Sequence, residues 1–135
     1  MRILVVDDDR DYLGLLASQL QARGHDVISA VDGKEARELL DVEHADLVVS
    51  DVSMPTLDGI WLHSYVRDFS DEPDTPFVYV TTPGDGSTGD LVVDPRIDLV
   101  LKKATETEEL VRRIESFVKT GKAKPNPAGK DSRAG

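Results

Sequence analysis

The sequence predicts an α/β fold: a doubly wound, five-stranded parallel sheet with helices on both faces. Three observations carry this. Short apolar runs recur five times, stretches with apolar residues at helical spacing alternate with them, and the third run is apolar at every position, as a strand buried on both faces requires. Right-handed crossovers favour the doubly wound arrangement, in which ligands sit beyond the carboxyl ends of the strands.

Ile3, Leu4, Val5 and Val6 predict the first strand. After Asp9, the residues Leu13, Leu16 and Leu20 mark one face of a helix that stops near Gly24. The second strand is expected over 27–30, and Ala36, Leu39 and Leu40 mark a short second helix. The third strand covers 47–49, and Leu62, Tyr65, Val66 and Phe69 mark the helix after it. Strands over 77–80 and 97–101 follow, and Leu110, Val111, Ile114, Phe117 and Val118 mark the closing helix. Between the last two strands, Pro83, Gly84, Gly86, Gly89 and Pro95 surround only Leu91, Val92 and Val93, so a helix there is expected to be weak or irregular.

With 135 residues and 39% hydrophobic content, the chain is expected to form one domain. Its formal charge of −10 opposes direct nucleic-acid binding, because phosphate backbones repel acidic surfaces. There is no cysteine for a disulfide or a thiolate site, and the first apolar run is too short for a signal peptide or a membrane span. A cytoplasmic protein without membrane insertion is expected. Residues 119–135 carry +4, which leaves −14 on residues 1–118. From Gly121 onward there is Pro and Gly but no large apolar residue, so ordering would cost more entropy than burial returns. The expected division is a domain over 1–120 and a disordered basic tail or truncated linker over 121–135.

The chemistry gathers at the strand ends. Asp7, Asp8 and Asp9 follow the first strand and Asp51 follows the third, so neighbouring strand ends bring several carboxylates to one edge of the sheet. Such a cluster repels itself unless a cation is present, and carboxylates that leave room for waters and a phosphate oxygen suit Mg²⁺. Thr81 after the fourth strand and Lys102 or Lys103 after the fifth point to the same edge. Carboxylate, hydroxyl, ammonium and cation around one point are what phosphoryl transfer uses. Each residue also has a plainer reading. Asp9 and Asp58 suit helix caps, Thr81 suits a strand, and a lysine at a strand end suits solvent. His25, His44 and His63 read as surface or boundary residues, Trp61 and Tyr12 as packing or partly exposed aromatics, and the glycines of 84–89 as a flexible loop. Four positions at four strand ends favour the shared site.

Two ordered motifs carry a family resemblance. Ile3-Leu4-Val5-Val6-Asp7-Asp8-Asp9, and Asp46-Leu47-Val48-Val49-Ser50-Asp51-Val52-Ser53-Met54-Pro55 followed by Asp58-Gly59, resemble the receiver domains of two-component response regulators, which are flavodoxin-like folds, over roughly residues 1–118. The similarity is to receivers of the single-domain chemotaxis kind. It implies Asp51 as phosphoacceptor, and Asp8, Asp51 and the Ser53 carbonyl as direct Mg²⁺ ligands, with Asp7 acting through water. It further implies Thr81 and Lys103 as phosphoryl-binding groups, the lysine being assigned by its distance from Thr81 and its place in Leu101-Lys102-Lys103-Ala104. A histidine kinase or phosphotransfer protein would dock beside the first helix and hand over the phosphoryl group. Slow self-catalysed hydrolysis and an output protein of unknown identity would follow. Ala104 stands where the family usually has proline, and Val100 where many members carry an aromatic. Two other readings compete: a receiver-like module that signals by docking without phosphorylation, and an aspartate-nucleophile phosphatase using Asp7-x-Asp9.

Overall fold

The computed structural model describes residues 1–84 and 91–119. Its elements run β1 (Arg2–Val6), α1 (Arg10–Ala22), β2 (Asp26–Ala30), α2 (Gly33–Val42), β3 (Leu47–Asp51), α3 (Gly59–Phe69), β4 (Phe77–Thr81), β5 (Asp98–Lys102) and α4 (Thr107–Lys119). The five strands pair in parallel in the order β2-β1-β3-β4-β5. The chain therefore steps outward from β1 to one side and then returns to build the other. That reversal lies between β1 and β3 and opens a crevice beyond their carboxyl ends.

Residue alternation divides the core. Ile3 and Val5 of β1 face a cluster with Leu47, Val49, Val78, Val80 and Leu101, covered by Leu13, Leu16 and Leu20 of α1 and Leu110, Val111, Ile114 and Phe117 of α4. Leu4 and Val6 face the opposite way, against Val48, Phe77 and Tyr79, under Ala36 of α2 and Leu62 and Val66 of α3. Strands β3 and β4 are buried at every position, their apolar runs over 47–49 and 77–80 carrying the polar ends Ser50, Asp51 and Thr81 into the interior with them. Each fully buried aliphatic side chain contributes about 1.5–3 kcal/mol relative to exposure, so this two-sided core holds the strand ends still. Aspartates start the first three helices: Asp9, Asp32 and Asp58 each accept from backbone N–H in the first turn.

The predicted elements all form, with boundary changes that matter at the site. β3 runs on to Asp51 and β4 to Thr81, and β5 covers 98–102 in place of 97–101. The expectation of a weak helix between β4 and β5 falls partly on residues 85–90, outside the described residues; 82–84 and 91–97 carry no helix. The expected tail over 121–135 also lies outside them.

A buried polar network ties residues 91–97 to the sheet. His63 corrects the reading of a surface or boundary histidine, because only 4% of it is exposed. Its ring centroid lies 5.0 Å from those of Phe77 and Tyr79. Its Nε2 is 3.0 Å from Asp98 Oδ2, and Arg67 Nη2 donates to Asp98 Oδ1 at 2.6 Å. The Asp94 N–H also donates to Asp98, and the Tyr79 hydroxyl donates to Val92 O at 2.7 Å. His63 and Arg67 are one helical turn apart, so α3 presents both to the foot of β5. Burial pushes the Asp98 carboxyl up, but the hydrogen bonds from His63 and Asp94 and the charges on His63 and Arg67 outweigh it and leave it below the usual value.

Candidate functional site

The carboxyl ends of β1 and β3 bring Asp7, Asp8 and Asp51 together. One carboxylate oxygen from each lies within 4.8 Å of the others, and Asp7 and Asp51 are buried while Asp8 is exposed. Asp51 Oδ1 is buried and has no hydrogen-bond partner among the described residues. Its Oδ2 is 3.6 Å from Lys103 Nζ. Lys103 sits closer to Asp7, 2.9 Å from Oδ2 and 3.1 Å from Oδ1. Asp7 Oδ1 also accepts the Asp9 N–H at 2.8 Å.

These contacts set the electrostatics. Burial pushes the Asp51 carboxyl up to about 6, with the charge of Asp7 adding to it and Lys103 and the Ser53 N–H opposing it. The Asp7 carboxyl is raised by burial against the pull of the Lys103 hydrogen bond. Burial would lower the Lys103 ammonium, but its hydrogen bond to Asp7 and the charge of Asp51 leave it raised and therefore firmly protonated. Tyr12 on α1 packs its ring under that ammonium, 4.7 Å from Nζ to the centroid. Burial, Asp7 and Asp51 push its phenol up to about 12, so it stays neutral.

Of the two lysines open to the assignment, the geometry brings only Lys103 to the carboxylates. Lys102 is the last residue of β5, pairs in register with Thr81 and is exposed. Thr81 is buried at the end of β4 and donates through Oγ1 to Leu101 O at 3.4 Å, while its carbonyl accepts the Lys103 N–H at 2.7 Å. Ser53 is exposed in the loop after β3, and its backbone N–H opposes the upward push of burial on the Asp51 carboxyl. Asp9 lies outside the carboxylate group and caps α1, accepting from Asp11 and Tyr12 N–H. Its carboxylate is engaged in the cap, which speaks against the phosphatase reading that would pair it with Asp7.

The loop that carries Ser53 is held by two close backbone approaches. A Cβ on Gly59 would come within 2.4 Å of Asp51 O, and one on Gly33 within 2.2 Å of Leu57 O. Gly33 N–H donates to that same Leu57 carbonyl at 3.0 Å. Thr56 and Leu57 adopt left-handed backbone angles, with φ of 51° and 64°. Such residues cost about 1–3 kcal/mol each and persist where the surroundings hold them. Tyr12 reads from the sequence as a packing or partly exposed aromatic, and it becomes a neighbour of the lysine only through the packing of α1 against the sheet edge.

An acidic crevice of this composition fits a hard divalent cation, and the unpartnered Asp51 oxygen is where a ligand is wanting. The profile of the response regulator receiver domain matches residues 3–115. The chain belongs to the response-regulator receiver family. Among relatives of this receiver, response regulator MprA of Mycolicibacterium vanbaalenii is 36% identical over 119 residues, covering 88% of the chain and 51% of the relative. The probable transcriptional regulator ycf27 of Cyanophora paradoxa is 34% identical over 118 residues, covering 87% and 48%. The receiver thus spans about half the length of the curated relatives it matches. Among solved structures, the receiver domain of the Francisella response regulator 1452 superposes with a TM-score of 0.71 at 29% identity, covering 88% of this chain and 97% of that one. Response regulator protein TrrA from Thermotoga maritima, in complex with Mg²⁺-BeF, gives 0.72 at 27% identity, covering 86% and 97%. Among the described residues no helix is long and apolar enough to cross a membrane.

Proposed function

We propose that this receiver works in the cytoplasm, accepts a phosphoryl group on Asp51 from a histidine kinase or phosphotransfer protein and passes the signal to an output protein or domain. The observation that carries the reading is the Asp51 carboxylate itself, with one oxygen buried and unpartnered and the other 3.6 Å from a lysine ammonium. An Asp51 oxygen attacks phosphorus, a new P–O bond forms, and the donor's P–N bond breaks with its electron pair returning to the imidazole. Mg²⁺ would be held by Asp8, Asp51 and the Ser53 carbonyl, with Asp7 reaching it through water, and would neutralise charge on the phosphoryl oxygens. Lys103 moves its ammonium from Asp7 toward a phosphoryl oxygen, and the Thr81 hydroxyl exchanges its long contact with Leu101 O for another. The chain is read as a domain over 1–120.

Docking without phosphorylation is disfavoured by the same pocket. Two buried carboxylates beside one lysine, with one Asp51 oxygen left unpartnered among the described residues, are a costly arrangement for a surface that only docks. Intact-mass analysis after incubation with acetyl phosphate and Mg²⁺ tests the proposal. One added phosphoryl group is expected in the wild type and none in Asp51→Asn. Undiminished labelling of that variant would remove Asp51 as acceptor.

A further inference from the structure

Among the described residues, the Tyr12 ring packs against the Lys103 ammonium, and its backbone is tied to the same cluster through Asp9. The Tyr12 N–H donates to Asp9 Oδ1 at 3.2 Å, the Asp9 N–H donates to Asp7 Oδ1 at 2.8 Å, and Asp7 binds Lys103 Nζ, which lies 4.7 Å from the Tyr12 ring centroid. The loop closes on itself: acid, cap, ring and ammonium fix one another. The Tyr12 hydroxyl is buried and has no hydrogen-bond partner among the described residues, so the side chain is not held there by a polar contact of its own.

We propose that Tyr12 is a positioning residue for phosphoryl transfer, its ring confining the Lys103 ammonium to the carboxylate edge of the site from which it can pass between Asp7 and a phosphoryl group on Asp51. The inference rests on the phosphoacceptor reading above. A lysine carries four methylenes and much rotamer freedom, and the Lys103 side chain is still 20% exposed. Asp7 alone does not prevent the ammonium from swinging into solvent once phosphoryl oxygens compete for it. The negative face of an aromatic ring attracts an ammonium without accepting its protons, so all three N–H donors remain available to oxygens. A carboxylate or hydroxyl in the same place would occupy one. An aliphatic side chain would fill the space and offer no attraction.

The test uses the whole chain in three forms: wild type, Tyr12→Phe and Tyr12→Leu. The readouts are the rate of labelling by acetyl phosphate, Mg²⁺ affinity by calorimetry, and the NMR shift of the Lys103 ε-methylene. Labelling in Tyr12→Phe is expected within about twofold of wild type, and labelling in Tyr12→Leu about five- to tenfold slower, in keeping with a partly desolvated cation–π contact. The upfield ring shift of the Lys103 methylene is expected to persist in the Phe variant and vanish in the Leu variant, while Mg²⁺ affinity stays the same in all three. Wild-type labelling in Tyr12→Leu overturns the role of Tyr12 and leaves Asp51 as acceptor. Equal slowing in both variants overturns it in favour of the hydroxyl, and a parallel loss of Mg²⁺ affinity shows damage to the pocket in place of lost positioning. Failure of the wild type to label overturns the phosphoacceptor reading and this inference with it.

Discussion

Lys103 Nζ lies 2.9 Å from Asp7 Oδ2 and 3.6 Å from Asp51 Oδ2, so the ammonium is engaged with the neighbour of the proposed acceptor more closely than with the acceptor. The lysine thereby offsets two buried carboxylates at once and remains loosely held on the side where new charge would appear.

Removing it should therefore expose their repulsion. Lys103→Met is expected to lower the stability of the metal-free protein by roughly 1–3 kcal/mol, less than the about 3–5 kcal/mol of a fully buried broken pair, because the Lys103 side chain keeps 20% exposure. Adding Asp51→Asn should recover part of the loss. Urea unfolding of the two single variants and the double variant, in chelator, measures the coupling; strict additivity would show that the lysine and Asp51 do not interact.

The raised Asp51 carboxyl gives a defined pH dependence. An acid whose folded-state value is raised contributes stability that is complete below its unfolded value of 3.8 and is lost as pH rises through about 6. Metal-free protein is expected to lose this contribution between those limits, and Asp51→Asn to lack that part of the slope. Mg²⁺ needs the ionised carboxylate, so its affinity should fall as pH drops below about 6, as followed by calorimetry.

Asp8 is the exposed member of the cluster, and its carboxylate lies within 4.8 Å of the other two. Asp8→Asn takes one negative charge from the group without leaving a buried cavity. The variant should lose most Mg²⁺ affinity and acetyl-phosphate labelling while unfolding at an equal or higher temperature in chelator. Wild-type Mg²⁺ affinity would remove Asp8 from the coordination shell.

The His63–Asp98–Arg67 network lies at the other end of β5 and has a structural task. Asp98→Asn leaves one acceptor oxygen where a fully buried carboxylate served His63, Arg67 and the Asp94 N–H. Destabilisation of about 3–5 kcal/mol is expected, the range for breaking a buried ion pair. Because the Asp98 carboxyl is held below its usual value, the contribution is present above pH 3.8 and is lost as pH falls through the lower folded-state value. Hydrogen exchange should show residues 91–97 opening in the variant before the sheet does. Unchanged protection there would mean that the segment is held by something else.

The sequence by itself determined the strands, the helices and the gathering of Asp7, Asp8 and Asp51. Apolar periodicity is a local property that a chain displays whether or not it is folded, and a parallel sheet sends all its strand ends to one edge. The caps Asp9 and Asp58 were legible for the same reason, since each acts on the helix that directly follows it. What only the tertiary structure decided were pairings across the chain. Lys103 reaches Asp7 over 96 positions, and it does so in place of Lys102 because β5 runs through residue 102, which pairs with Thr81 and keeps its neighbour for the turn toward the pocket. His63 meets Asp98 over 35 positions, turning a residue that reads as a boundary histidine into a buried one. Tyr12 passes for a packing residue until α1 is laid against the sheet and its ring comes to rest beneath Lys103. A charged or aromatic side chain has no preferred face until its partner arrives, and the partner's position is set by strand register and helix packing, which no local period encodes.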